Sequence, residues 1–179
     1  MTSAKFKVCV FGDGGVGKTT LVQRFLTGKF SSNYLVTIGA DFYIKKINIH
    51  EHEITLQLWD FAGEQKFRFL LPTYAAGSSG GIFMYDITRR SSIDNVKTWL
   101  DVFASRSSTD SLDIPIIMVG GKLDLEEKRV ISKDEAQKIA EKNEFYDFIE
   151  CSSRTGENVE NVFMNISKKM LEDASYLAK

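Results

Sequence analysis

The eight residues Gly12-Asp13-Gly14-Gly15-Val16-Gly17-Lys18-Thr19 fit the pattern G-x-x-x-x-G-K-[ST], and they constrain this chain more than any other stretch. An apolar run from Phe6 to Phe11 precedes them, and Leu21-Val22-Gln23-Arg24-Phe25-Leu26 follows. Strand, glycine-rich turn and helix is the context that gives the pattern meaning. Glycines let the backbone curl until several N–H groups point inward, and the helix that follows adds its positive end. Lys18 can reach the β- and γ-phosphates of a nucleotide, and the hydroxyl of Thr19 suits a Mg²⁺ ligand. Asp13 through Thr20 is therefore a candidate phosphate-binding loop.

The remaining chain alternates between two periodicities. Lys5 to Phe11 reads as a buried strand, and a helix from about Gly17 to Thr27 is expected to stop at Gly28. Phe30 to Ala40 has no helical period and reads as a loop. Asp41 to Ile49 and Glu53 to Asp60 read as strands of a hairpin, the second alternating Ile54, Leu56 and Leu58 against Thr55, Gln57 and Trp59. Phe61 to Ser79 is a second long loop with room for a broken helix, and loops of this length in a compact domain usually serve function. Beyond it come a strand at Gly81–Ile87, a helix at Ser91–Phe103 and a strand at Ile114–Val119. A capping box, Ser132-Lys133-Asp134-Glu135, opens a helix to about Lys142; a last strand, Phe145–Cys151, and a last helix, Glu157–Leu171, follow. Six strands alternating with helices, with one hairpin, predict a single α/β domain: a mostly parallel sheet, helices on both faces, and ligands at the carboxyl ends of the strands.

Composition excludes several classes. A net charge of −1 over 179 residues gives no electrostatic reason to expect nucleic acid or an anionic membrane as partner. No stretch is long and apolar enough to span a bilayer, and no signal peptide opens the chain. The last residues carry no cysteine for prenylation, so no membrane anchor is expected within this stretch, and the chain is expected to be cytoplasmic and monomeric, beside membranes through partners or a missing tail. Cys9 and Cys151 lie in apolar runs and are expected as buried free thiols. His50 and His52, at a hairpin tip with no third ligand beside them, read as solvated residues and not as a metal site.

A phosphate loop alone does not choose between a kinase, an ATPase and a GTP switch. Asp60 closes an alternating strand, where a carboxylate would hold magnesium, and Gly63 three residues on offers an N–H with no side chain in the way of a γ-phosphate. Together with Thr37, Asp60-Phe61-Ala62-Gly63, Lys122-Leu123-Asp124 and Ser152-Ser153-Arg154, the loop resembles the ordered motif series of the Ras-superfamily small GTPases. Thr37-Ile38-Gly39-Ala40-Asp41-Phe42, Leu58-Trp59-Asp60 and Tyr85-Asp86-Ile87-Thr88 are similar to Rab proteins, and the likeness runs from about Lys5 to Leu171.

The resemblance implies the small G-protein version of the P-loop NTPase fold, GTP and GDP as ligands, and Mg²⁺ held by Thr19, Thr37 and Asp60. It implies that Phe30 stacks on the base, that Tyr34 closes over the phosphates, and that Thr37 also offers its N–H to the γ-phosphate. Asp124 would accept from guanine N1–H and N2–H₂, which adenine lacks. Lys122, Leu125, Ser152, Ser153 and Arg154 would complete the base pocket. Lys18, Thr37 and Gly63 would serve hydrolysis, with Glu64 or Gln65 acting on the attacking water. Effector, activating and exchange proteins would bind through Thr37–Phe42, Trp59 and Phe61–Tyr74, placing the protein beside membranes through partners or a missing tail.

Three departures set the open questions. The family has Gln directly after Asp60-x-x-Gly63, and this chain has Glu64 there with Gln65 one place later. A carboxylate beside a γ-phosphate is repelled, yet it is also able to accept a proton from water. Gly121 stands where the motif Asn-Lys-x-Asp has Asn, which removes one polar contact, a loss of about 1–3 kcal/mol. Ala75 and Ala76 replace residues of the Rab signature beside the aromatic trio Phe42, Trp59 and Tyr74. The chain reads as a Rab-like GTP switch, slow without an activating partner. The rival reading is a pseudo-GTPase scaffold that binds GTP with little turnover, and a nucleotide kinase is a distant third.

Overall fold

A computed structural model of the chain describes residues 2–33, 35–107 and 112–174. Six strands form one sheet in the order β2-β3-β1-β4-β5-β6. They are β1 (Thr2–Phe11), β2 (Ala40–Ile49), β3 (His52–Phe61), β4 (Gly80–Asp86), β5 (Ile116–Gly121) and β6 (Asp147–Glu150). Only β2 runs antiparallel to its neighbour, paired with β3 from Ala40↔Phe61 to Ile49↔His52. Every other pairing is parallel, as the strand–helix alternation predicts.

Strand parity sorts the core. Val8 and Val10 face one side of the sheet with Ile82, Met84, Ile117 and Val119, beneath α1 (Lys18–Thr27) and α6 (Val159–Asp173). Cys9 and Phe11 face the other with Phe83, Tyr85 and Met118. That second side is covered by α2 (Leu71–Ala75), α3 (Ser91–Asp94), α4 (Val96–Ala104) and α5 (Lys133–Lys142). Phe25 of α1 stacks on Phe163 of α6, ring centres 4.0 Å apart. Both cysteines are buried and free, as expected.

Several boundaries differ from the sequence expectation. The helix expected over Ser91–Phe103 breaks at Asn95, which separates α3 from α4. The fifth strand lies two residues further on, at Ile116–Gly121, and the sixth shrinks to Asp147–Glu150. The second long loop holds a 3-10 turn at Gln65–Leu70 and then α2, and a further 3-10 turn covers Leu123–Lys128. Ser132 caps α5 by accepting from the Glu135 N–H, but the Glu135 carboxylate pairs with Arg90 instead of returning to the cap.

The parallel register matters most for function. Val10 lies opposite Asp60, Phe11 opposite Phe83, and Asp86 opposite Gly121. The carboxyl ends of β1, β3, β4 and β5 therefore meet at one edge, and each leads into a motif segment.

Candidate nucleotide site

A cavity of about 830 Å³ opens at that edge. Gly14 to Thr20, Phe30, Thr37, Gly63, Glu64, Lys122, Asp124, Leu125, Ser153 and Arg154 all line it, so most of the residues expected from sequence meet in one place. Tyr34 lies outside the described residues. Leu35, Val36, Phe61 and Met84 also line the cavity and were not foreseen. Met84 carries no local signal, because its strand looks like any buried strand.

Lys18 is 6% exposed, and its Nζ donates to Gly12 O at 2.9 Å and Asp13 O at 2.7 Å. An ammonium has three N–H donors, so one remains for a phosphate oxygen. Burial lowers the Lys18 pKa to about 8, against the pull of Asp60 and Asp13. Thr19 Oγ1 donates to Asp60 Oδ2 at 2.5 Å and lies 2.8 Å from Thr37 Oγ1. Burial raises the Asp60 carboxyl to about 6, with the Thr19 donor acting the other way. Asp60 Oδ1 is buried with no hydrogen-bond partner. Two hydroxyls and a carboxylate, one of whose oxygens is buried and unpartnered, form a hard-oxygen donor set that fits Mg²⁺.

The second long loop closes directly on the phosphate loop. Gly14 N–H donates to Gly63 O at 3.1 Å. A Cβ at Gly63 would lie 2.3 Å from both Asp13 C and Gly14 N, so this approach admits only glycine. The first long loop is tied in as well, through Ala62 N–H to Gly39 O at 2.8 Å. Glu64 is turned toward Lys66, 2.9 Å away, whereas Gln65 is exposed and starts the 3-10 turn.

The phosphate loop is held at three successive residues by three cations. Arg68 donates to the Asp13 carboxylate, Arg89 to Gly14 O at 2.6 Å, and Lys122 to Gly15 O at 3.0 Å. Lys122 also pairs with Asp86 at 2.6 Å. The Asp13 side chain thus points away from the cavity and toward the helices. Ser152 likewise stands behind the site, fully buried, donating to Oδ1 of the cavity-lining Asp124 at 2.7 Å.

With this geometry in place, the chain's similarity to known proteins is specific. The Ras family matches residues 7–172. The chain belongs to the Ras family. It is 40% identical to "Ras-related protein Rab-1" of Theileria parva over 166 residues, covering 92% of this chain and 74% of that protein. It is 38% identical to "Ras-related protein RABA1c" of Arabidopsis thaliana, covering 95% and 81%. "Ras-related protein Rab-13" of Bos taurus is 35% identical, covering 93% and 80%. This Rab-like small GTPase is thus a GTP-hydrolysing switch of the membrane-traffic type, and its relatives do not favour a scaffold without turnover. Among the described residues of the Rab-like GTPase, no helix is long and apolar enough to cross a membrane.

Proposed function

We propose that this Rab-like GTPase holds guanine nucleotide with its phosphates on Gly14–Thr20 and its base between Phe30 and the Lys122–Leu125 segment. The convergence of Thr19, Thr37 and Asp60 beside the Gly14–Gly63 contact carries the reading. Magnesium bound to those three residues would neutralise charge on the phosphates and fix their orientation. Lys18 gives its remaining N–H to the β- and γ-phosphates, and Thr37 and Gly63 give backbone N–H groups to the γ-phosphate. Water then attacks the γ-phosphorus in line with the departing GDP oxygen.

Release of phosphate removes what Thr37 and Gly63 hold, so both long loops relax and partners of the ordered surface dissociate. That surface is apolar. Trp59 packs between Phe42 and Tyr74 with the rings tilted, ring centres 5.1 and 5.7 Å apart. Ile38 and Ile44, close in sequence to Phe42, and Phe69 of the second long loop are exposed apolar residues as well. Effector, activating and exchange proteins bind here, through Thr37–Phe42, Trp59 and Phe61–Tyr74. They bring the protein to membranes from the cytoplasm.

No arginine lies between Phe30 and Thr37, and Arg68 and Arg89 are committed to acceptors of the phosphate loop itself. An activating partner therefore supplies the positive charge that stabilises the transition state. The test is to purify the protein with Mg²⁺, denature it, identify the released nucleotide, and follow single-turnover GTP hydrolysis with and without chelator. GDP on the protein and hydrolysis that stops with chelation are expected. Adenine nucleotide, or none, would overturn the pocket assignment.

A further inference from the structure

Met84 belongs to β4 and is 1% exposed, yet its side chain lines the nucleotide cavity between the phosphate loop and the Lys122–Asp124 segment. A Cβ added at Gly121 would lie 2.3 Å from the Met84 methyl carbon, and 3.3 and 3.4 Å from the backbone oxygens of Val16 and Tyr85. A Cβ at Gly17 would meet the same methyl at 3.5 Å, an ordinary contact. The thioether thus lies in a slot between one glycine of the phosphate loop and one at the end of β5. No side chain grows from 121, and the neighbouring strand fills the room that one would need.

We propose that Met84 and Gly121 act together as a specificity-determining pair: the methionine occupies from β4 the volume of a side chain at 121, and the purine edge facing it goes unread. The inference rests on the guanine-nucleotide reading. If Asp124 accepts from N1–H and N2–H₂, the opposite edge of the base, which carries the N7 acceptor, is turned toward the phosphate loop and this slot. A thioether has no hydrogen to donate, so it offers that edge dispersion contact alone. Selection then rests on the Asp124 edge. Nor is Gly121→Asn by itself a full repair, because the methionine tip must swing aside, within the space the base uses, and the new Cβ still stands 3.3 and 3.4 Å from the backbone oxygens of Val16 and Tyr85.

The pair is tested with four proteins: wild type, Gly121→Asn, Met84→Val and Gly121→Asn/Met84→Val. For each, the Kd is measured for GDP and for 7-deaza-GDP, which lacks the N7 acceptor, together with the melting temperature at saturating GDP. Wild type is expected to bind both ligands equally within about twofold, and the double variant to bind GDP about tenfold more tightly and to prefer it over 7-deaza-GDP by about tenfold. Gly121→Asn alone gains less than about threefold and melts below the double variant. Met84→Val alone gains no affinity and melts below wild type, because a void replaces the thioether. The proposal is overturned if Gly121→Asn alone matches the double variant, if wild type already discriminates against 7-deaza-GDP, or if the double variant gains nothing or does not fold. A wild type that binds neither ligand would overturn the guanine reading itself, a result distinct from all of these.

Discussion

The Arg68 guanidinium donates to Asp13 Oδ1 over 3.1 Å and lies 4.5 Å from the centre of the Trp99 ring, so one cation joins the second long loop, the phosphate loop and α4. Trp99 Nε1 donates to the same carboxylate oxygen at 2.7 Å, and Asn95 Nδ2 to the other at 3.0 Å. Asn95 is the residue at which the expected helix breaks. Asp13 therefore accepts from three side chains on two segments, the Gln65–Leu70 turn and the start of α4, all drawn to the outer face of the loop that cradles phosphate.

Removing the acceptor is expected to cost more than removing one donor. Asp13→Ala strands a buried guanidinium, an indole N–H and an amide, whereas Arg68→Ala leaves Asp13 with two donors. Both side chains are less than a fifth exposed. Destabilisation of about 3–5 kcal/mol for the first and about 1–3 kcal/mol for the second is expected from urea unfolding in excess GDP. Equal losses would mean that Asp13 is not the centre of the cluster.

Gly63→Ala separates the two loops at their closest approach. Its Cβ would meet backbone, which has no rotamer to escape into. The variant is expected to keep GDP binding, which needs the phosphate loop and base pocket, and to lose the tightening on GTP that depends on Gly63. Kd values for GDP and a non-hydrolysable GTP analogue decide this. An unchanged ratio between them would contradict it.

Glu64→Gln removes a negative charge from the cavity wall. The carboxylate is paired with Lys66 and is repelled by a γ-phosphate, so the neutral amide is expected to raise the single-turnover hydrolysis rate about tenfold. A fall in rate would assign Glu64 a proton-accepting role instead.

Burial pushes both thiols, Cys9 and Cys151, from 9.0 up to about 12. A raised pKa means that the folded state binds the proton more tightly, so stability holds below pH 9 and falls as pH rises toward 12. Each thiol contributes a slope of about 1.4 kcal/mol per pH unit in that window. Cys9→Ala/Cys151→Ala should flatten the decline measured by denaturant titration between pH 9 and 10.5. At pH 8, alkylation of the native protein should proceed no faster than unfolding.

Much of the site was legible because its chemistry is local. Gly12–Thr19 needs a run of glycines before a lysine, Asp60 and Gly63 lie three residues apart at a strand end, and Ser132 announces its helix to Glu135. Period-2 and period-3.6 patterns mark strands and helices, so the sequence alone puts the motifs at strand ends. The errors fell where local pattern conflicts with distant partners. The helix at 91–103 keeps its apolar period through Asn95, but that side chain is drawn to Asp13, 82 residues away in sequence.

The sequence by itself determined the order of elements, the phosphate loop and the family. Those depend on residue spacing within a turn or a strand, which the backbone's own periodicity fixes. Tertiary structure decided what each side chain touches. It turned Asp13 outward, joined Arg68 to Trp99, left Gln65 in solvent and Phe42 half-exposed, and slid Met84 into the space beside Gly121. Such contacts join residues far apart in the chain and are chosen by which atoms fill a shared volume, and that choice exists only once the sheet and its helices have closed around it.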